Sequence, residues 1–251
     1  MNMANVVQRI GHLARKTFLD ISSKVALKEN IADLKGVLQT LNASDLNFEE
    51  RLVENRDVYR PETRGAPVTY VHIYEDRILS IGIFVIRHGA SLPLHDHPDM
   101  HGLIKVIHGQ GKIKSFTSVP KEDIPFPKEM ELNSSVKPWH RDRIIPVKLH
   151  SDTVVDSDSV CELGPEEGNL HYIEAVNGPM AFVDILSPPY DHDTGARVCH
   201  YYKELNIEKD VTGSGIQNDI CWLLEIPQPS DYWTASAKYK GPRIAIDMDS
   251  F

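Results

Sequence analysis

The sequence predicts a mainly β domain, a barrel or a sandwich, behind an N-terminal helical segment. The chain has 251 residues, of which 41% are hydrophobic, enough to bury one large core. Apolar residues keep helical spacing only in the first 55 or so residues. After residue 67, short β-branched and aromatic runs alternate with turns. We therefore expect a helical segment over residues 1–60, packing on a β domain over residues 61–251.

The helical segment is predicted from apolar residues that recur every three or four positions. These residues are Ile31, Leu34, Val37, Leu38 and Leu41. The first nineteen residues contain no acid but include Arg9, Arg15 and Lys16 among apolar residues at helical spacing. That pattern fits a mitochondrial presequence, and equally an amphipathic helix that packs on the domain.

Strands are predicted wherever β-branched and aromatic residues run together. The runs cover residues 68–74, 79–86, 103–108, 112–116, 144–149, 153–155, 170–176, 180–186, 197–205 and 222–225. A Gly109-Gln110-Gly111 turn separates two of them, and Asn177-Gly178, a hairpin signal, joins two others. Residues 119–143 are Pro-rich and charged without apolar periodicity, which predicts a surface loop or insertion.

Composition narrows the class of partner and the compartment. A net charge of −9 argues against nucleic acid and anionic membranes as partners. No apolar run has the length that a membrane-spanning helix needs. The three cysteines show no C-x-x-C spacing, so neither a disulfide framework nor a zinc–cysteine site is indicated. We expect a cytoplasmic protein, with a mitochondrial location as the alternative.

One stretch, Pro93 to Gly102, carries a candidate metal site. In an extended strand alternate residues face the same way, so His95 and His97 can direct their rings at one point while Asp96 points away. Imidazole suits iron, copper, nickel and zinc. Two solvated histidines in a Pro-rich turn are the alternative. His171, which follows a turn at the start of a predicted strand, offers a third ligand.

The spacing of these histidines resembles the two cupin motifs. The first motif is matched by Gly89, His95-x-His97, His101 and Gly109, with His101 where cupins usually carry a glutamate. Gly168-x-x-His171 resembles the core of the second motif. Pro165 lies one residue too far from Gly168, and no Asn follows at the usual place.

A fuller resemblance is to the cysteamine dioxygenase and plant cysteine oxidase family of thiol dioxygenases, and within it to the animal members. Asp99 stands where those members often have glycine. The resemblance covers most of the chain, with the matching segments in the family's order. These segments are 34–46, 68–74, 93–106, Asn169-Leu170-His171, 184–186, 188–191 and Cys199-His200-Tyr201-Tyr202.

The resemblance implies a cupin double-stranded β-helix, or jelly-roll barrel, with one Fe(II) per chain held by His95, His97 and His171. The implied cosubstrate is O2, and the implied reaction converts a thiol to a sulfinic acid. Substrates would be cysteamine, oxidised to hypotaurine, or proteins with an N-terminal cysteine, whose oxidation feeds an oxygen-dependent N-degron pathway. The family also suggests a monomer.

Five further residues receive roles from the resemblance. Asp184 would hold the substrate amine, or else be a buried acid bonded to backbone. Tyr201 would orient bound oxygen or the sulfinate, and Tyr190 is a similar, substrate-binding candidate. Cys199 and Tyr201 would share a strand face, and animal members are associated with a thioether cross-link between this pair. The alternative for Cys199 is a small buried thiol with no essential role. His101 would be a hydrogen-bond partner of the ligands, or a fourth ligand.

Two other functions remain open from the sequence. The first is a cupin metalloenzyme that acts on a non-thiol substrate. The second is a cupin that binds a small molecule without catalysis. An isomerase would be expected to keep the cupin glutamate, and a pure binding protein has no need of a complete triad, so the three-histidine set favours the thiol dioxygenase.

Overall fold

Two α-helices precede ten β-strands in the computed structural model, which describes residues 5–62, 64–127, 136–191, 193–205 and 219–246. The helices are α1 (Val6–Leu19) and α2 (Lys24–Gln39). The strands are β1 (Val68–Glu75), β2 (Ser80–Ile86), β3 (Ser91–His95), β4 (His101–Ser118), β5 (Ile144–Val155), β6 (Val160–Leu163), β7 (Leu170–Ser187), β8 (Tyr201–Leu205), β9 (Ile220–Ile226) and β10 (Thr234–Lys238). The predicted mainly β class with N-terminal helices is confirmed.

Side-chain caps begin both helices. The Asn5 side chain accepts a hydrogen bond from the backbone N–H of Gln8 at 2.8 Å, and Ser23 accepts from Ala26 at 3.3 Å. Neither described helix is both long and apolar enough to cross a membrane. The apolar faces of both helices pack against the outer face of the sheet formed by β2 and β7. The division of the chain at residue 60 stays a prediction.

The strands close into a barrel through the two longest, β4 and β7. The sheet order is β10-β1-β2-β7-β3-β8-β9-β5-β4-β6, and the additional pairing of β7 with β4 closes the ring. All pairings are antiparallel except that of β1 with β10. This arrangement is the double-stranded β-helix that the cupin resemblance implies.

The predicted Gly109 turn and Asn177-Gly178 hairpin are both wrong. Each lies inside a continuous strand, because both halves of β7 pair with β4. The register shifts on either side of His108, and Gly109 and Asn177 have φ of 72° and 60°. A Cβ on Gly109 would collide with the carbonyl oxygen of Pro179. The turn residues therefore mark bulges in a long β4–β7 ribbon instead of chain reversals.

Strand alternation in β2 and β7 separates an outer face from a cavity face. Most of β2 and residues 178–187 of β7 are buried on both sides, which explains the largely apolar runs 79–86 and 180–186. Odd-numbered residues of these strands pack under the helices: Ile81, Ile83, Val85, Ala181, Val183 and Ile185. Even-numbered residues line the cavity within the barrel: Gly82, Phe84, Phe182, Asp184 and Leu186. Asp184 is therefore directed inward.

Three short strands were not predicted, and the predicted insertion at residues 119–143 is described only in part. Sequence reasoning missed β3, β6 and β10, which are short strands of four or five residues. The described part of the 119–143 segment contains two 3₁₀ turns, Lys121–Asp123 and Pro138–Arg143. Residues 128–135 of that segment lie outside the described residues.

Candidate metal centre

Three strand ends bring the predicted ligands together. His95 is the last residue of β3, and its Cα partners are His171 on β7 and Tyr201 on β8. His97 follows in the turn that leads to β4. That turn is closed by a hydrogen bond from Met100 N–H to the His97 carbonyl at 3.1 Å. Asp99 in it has φ of 56°, the left-handed region that favours glycine and tolerates aspartate.

The three imidazoles have the spacing of a metal site. Their ring centroids are 4.7 to 4.8 Å apart, and the candidate ligand atoms all lie within 4.8 Å of one another. The Nε2 atoms of His97 and His171 are 3.0 Å apart. Two nitrogens that each lie about 2.1 Å from a metal and subtend a right angle are also about 3.0 Å apart. The donor set therefore fits a transition metal.

Hydrogen bonds orient two of these rings so that Nε2 is the ligand atom. His95 Nδ1 lies 2.7 Å from the Pro93 carbonyl, which only accepts. The Tyr190 hydroxyl donates to the Asp96 carbonyl at 2.6 Å and lies 3.0 Å from His97 Nδ1. In both rings Nδ1 must then carry the proton, which leaves the Nε2 lone pair for a metal.

Burial keeps the triad in the form that binds metals. It lowers the pKa of His95, and it lowers the pKa of His97 and His171 well below the usual value. For His97 and His171, repulsion from neighbouring imidazoles lowers the pKa further. The three rings are therefore neutral at pH 7, as metal coordination requires.

Asn169 fixes the backbone at His97, a role that the sequence did not indicate. Its side-chain Oδ1 accepts from the His97 N–H at 3.0 Å, and its Nδ2 donates to the His97 carbonyl at 2.7 Å. Nδ2 also donates to the Gly164 carbonyl at 2.9 Å. Asn169 thus ties the turn before β7 to the ligand segment. The only signal was its place in the Asn169-Leu170-His171 match.

A cavity of 340 Å³ opens on the triad and contains most of the other predicted site residues. Asp184 lies in it at 9% exposure, and its Oδ1 has no hydrogen-bond partner among the described residues. Burial raises the pKa of Asp184 to about 7. The predicted alternative, a structural acid satisfied by backbone, therefore does not describe Oδ1. A buried acceptor without a partner is costly unless a ligand fills it.

Cys199, Tyr190 and Tyr201 form one wall of this cavity. The Cys199 thiol lies within hydrogen-bonding reach of both phenols, and burial raises its pKa to about 11. Burial likewise raises the pKa of Tyr201, with a smaller contribution from Cys199. The Tyr190 hydroxyl is already engaged by His97 and Asp96. The structure thus gives Tyr190 a contact with a ligand, and its predicted role in substrate binding stays a prediction.

His101 does not contact the triad, and this corrects the predicted hydrogen-bond role. Its ring stacks on Phe18 of α1, with centroids 5.9 Å apart and planes 28° apart. The reason is strand alternation, because β4 directs Gly102 and Ile104 inward and His101 outward. Asp96 also faces away from the cavity, as its strand parity predicts, and binds His200 and Tyr202.

Three further cavity residues received no predicted role from the sequence. Tyr70 and Gly82 come from β1 and β2, and Tyr232 comes from the segment before β10. The Tyr232 ring lies beside that of Tyr201, with centroids 5.9 Å apart and planes tilted by 56°. These contacts join segments that are far apart in the chain, so no local pattern could have predicted them.

A jelly-roll barrel with a buried three-histidine site that opens on a cavity defines the class of metal-binding cupins. The PCO_ADO family model matches residues 37–244. The chain therefore belongs to the PCO_ADO family, as the sequence resemblance predicted.

Two relatives and one solved structure illustrate the similarity. The chain is 37% identical to 2-aminoethanethiol dioxygenase of Mus musculus, over 97% of this chain and 98% of that protein. It is 29% identical to plant cysteine oxidase 2 of Arabidopsis thaliana, over 95% of this chain and 83% of that protein. A cupin superfamily protein from Desulfitobacterium hafniense aligns at a TM-score of 0.32 and 14% identity, covering 55% of this chain and 98% of its own.

Proposed function

We propose that the protein is a non-haem iron thiol dioxygenase that converts an aminothiol to a sulfinic acid. The observation that carries the proposal is a neutral three-histidine site that shares one cavity with an unpartnered carboxylate. Such a cavity offers a place for a thiol and a place for an amine. The names of the relatives, 2-aminoethanethiol dioxygenase and plant cysteine oxidase, denote enzymes of such thiols.

The neutral ligand set favours a thiolate ligand. His95, His97 and His171 would hold Fe(II), and none of them supplies negative charge. A substrate thiolate supplies that charge, since a bound metal lowers the pKa of a thiol. The iron that these histidines would hold would supply the oxygen chemistry that places both atoms of O2 on the substrate sulfur. Sulfur loses the four electrons that O2 gains, and no further reductant is needed.

Asp184 is the residue that we assign to the substrate amine. Asp184 lines the cavity, and its Oδ1 is buried without a described hydrogen-bond partner. An ammonium group at this carboxyl would give it both a hydrogen bond and a counter-charge. A cation beside it also lowers the pKa of the carboxyl, which opposes the effect of burial. Cysteamine and an N-terminal cysteine both carry an amine two carbons from the sulfur. Either substrate could therefore bind iron and Asp184 together.

Tyr201 and Cys199 line the same cavity and complete the proposed chemistry. Tyr201 is the Cα partner of His95, so its phenol lies beside the ligand set with ring centroids 6.5 Å apart. A protonated phenol can donate a hydrogen bond to an oxygen atom on sulfur. Cys199 lies against that phenol and would hold its orientation.

One experiment tests the proposal directly. Anaerobic, ferrous-loaded protein receives oxygen in the presence of cysteamine or of a peptide with an N-terminal cysteine, and products are followed by mass spectrometry. We expect a gain of two oxygen atoms on at least one substrate, with ¹⁸O₂ supplying both. If iron is bound at one per chain and neither thiol gains oxygen, the proposal is wrong.

A further inference from the structure

A second cavity, of 210 Å³, adjoins the metal site and shares the third ligand with the first cavity. His171 and Ile104 line both cavities. The second cavity contains three hydroxyl groups, those of Ser115, Ser151 and Thr153, and we call it the serine cavity. The residues assigned to the substrate line only the first cavity. The serine cavity therefore reaches a metal ligand without belonging to the substrate site.

A row of cross-strand partners leads from the metal site into the serine cavity. His95 on β3 and Ser115 on β4 are the Cα partners of His171. Ser151 on β5 is in turn the partner of Ser115. Directly opposed side chains share a sheet face, with Cβ atoms roughly 4.5–5.5 Å apart. The Ser151 hydroxyl lies 3.4 Å from that of Thr153, which is exposed. Hydroxyl groups thus continue from the third ligand to the surface.

The three ligand histidines differ in how Nδ1 is held. His95 and His97 have their Nδ1 atoms beside the Pro93 carbonyl and the Tyr190 hydroxyl. His171 Nδ1 has no hydrogen-bond partner among the described residues, yet it is not fully enclosed. Its Nε2 lies 3.0 Å from that of His97 and is the ligand atom, so Nδ1 of the neutral ring carries the proton. A buried N–H without an acceptor is costly.

Ser115 also has an unused polar atom next to this ring. The residue is 7% exposed, and its hydroxyl has no partner in the described part of the chain, although it too is not fully enclosed. The Ser115 hydroxyl and His171 Nδ1 therefore both border open space, and the serine cavity is lined by both residues. A buried water needs roughly 15 Å³ and two to four polar partners, and the serine cavity offers both.

We propose that Ser115 positions the third ligand through a water molecule in the serine cavity. The water accepts a hydrogen bond from His171 Nδ1 and donates one to the Ser115 hydroxyl. The inference rests on the proposed function only in taking His171 as a metal ligand. The water does for His171 what protein groups do for the other two ligands, because it fixes the tautomer that leaves the Nε2 lone pair for the metal. Ser115 is a positioning residue and touches neither metal nor substrate.

A crystal structure of the zinc-loaded protein tests the water directly. We expect a water within about 3.2 Å of both His171 Nδ1 and the Ser115 hydroxyl oxygen. In Ser115→Ala the water should lose this partner and become less ordered or absent. A protein atom bonded to His171 Nδ1, or a serine cavity without water in the wild type, would overturn the proposal.

Zinc affinity, measured by competition with a chromophoric chelator, tests the role of Ser115. Ser115→Ala should lower the affinity by about tenfold, the lower end for a residue that supports a ligand. Ser115→Thr keeps the hydroxyl and should keep the affinity. Unchanged affinity in Ser115→Ala would overturn the positioning role.

Ser187→Ala is the matched control. Ser187 is also a buried serine, but it lies outside both cavities and its hydroxyl donates to the Ile78 carbonyl at 2.7 Å. This variant should lose stability in urea and retain its zinc affinity. An equal loss of zinc affinity in Ser187→Ala and Ser115→Ala would overturn the proposal, because the loss would then follow from destabilisation alone. Ser115-dependent zinc binding in a protein whose iron form transfers no oxygen would retain it and reject the dioxygenase instead.

Discussion

Two aspartates near the ligand histidines, Asp96 and Asp184, illustrate two uses of a carboxyl group that is largely shielded from solvent. Asp96 faces away from the cavity and accepts hydrogen bonds from the His200 backbone N–H at 2.8 Å and from the Tyr202 hydroxyl at 3.0 Å. Its side chain is 14% exposed. Asp184 faces the cavity, and its Oδ1 has no described partner. The satisfied acid organises the protein, whereas the unsatisfied acid is available to a ligand.

The same comparison applies to the histidines of the ligand segment. His95 and His97 have Nδ1 atoms held by protein groups and Nε2 atoms directed at a common point. His101 instead packs its ring on Phe18. Residue type alone does not separate the two kinds of histidine. The direction in which the strand points each side chain does.

The largest expected effect concerns the ligands. His171→Ala removes one of three metal donors, so we expect metal affinity to fall by more than about 100-fold, beyond the losses typical of ligand-supporting residues. Metal content after dialysis measures this. His101→Ala is the matched control and should keep its metal, because the structure places His101 against Phe18. Equal metal loss in both variants would contradict the distinction between inward and outward histidines.

The next effect separates the two aspartates by stability. Asp96→Asn loses acceptor capacity for groups that donate to it, so we expect a loss of about 2 kcal/mol in the free energy of unfolding. Asp184→Asn removes an unpartnered carboxyl and should leave the metal-free protein as stable or more stable above pH 7. Urea unfolding of both variants checks this. A similar destabilisation by both substitutions would show that Asp96 and Asp184 do not differ in their contribution to stability.

The pH dependence of the same measurement has a defined sign. The carboxyl of Asp184 has a pKa of about 7 in the folded protein and an ordinary value of 3.8. Between those values the folded state binds more protons than the unfolded state, so its stability falls as pH rises through that window. The full shift corresponds to about 4 kcal/mol as an upper bound. In Asp184→Asn this component should be absent.

Parts of the fold and site could be predicted because their signals are local. Each strand was predicted from the composition of a few consecutive residues, and the metal site from the spacing of His95 and His97. The family resemblance added His171. The continuous paths of β4 and β7 could not be predicted, because Gly109 and Asn177 carry the same residue signals in a bulge as in a turn. The direction of His101 also depends on where β4 begins. Asn169 acts through contacts that only the folded chain creates.

A kinetic effect of intermediate size concerns the substrate amine. Asp184→Asn should lower kcat/KM for cysteamine by about tenfold to 50-fold, the cost of losing a charge-assisted hydrogen bond. Ethanethiol, which has no amine, should be affected little. Asp96→Asn should not discriminate between these two thiols. If both thiols lose activity equally in Asp184→Asn, the carboxylate does not act through the amine.

The smallest expected effect concerns the Tyr190 hydroxyl, which links the Asp96 backbone to the ligand His97. Tyr190 donates to the Asp96 backbone carbonyl and accepts from His97 Nδ1, so its hydroxyl fixes the tautomer of a ligand. Tyr190→Phe keeps the ring, which packs 5.5 Å from that of His97, and removes only the hydroxyl. We expect a loss of about tenfold in metal affinity, the lower end for a ligand-supporting residue. Tyr202→Phe, which loses a bond to Asp96 but none to a ligand, should retain metal affinity. Equal metal affinities in the two variants would show that the tautomer of His97 is set without Tyr190. The hydrogen bonds of Tyr190 and Asp96 would then support the fold alone.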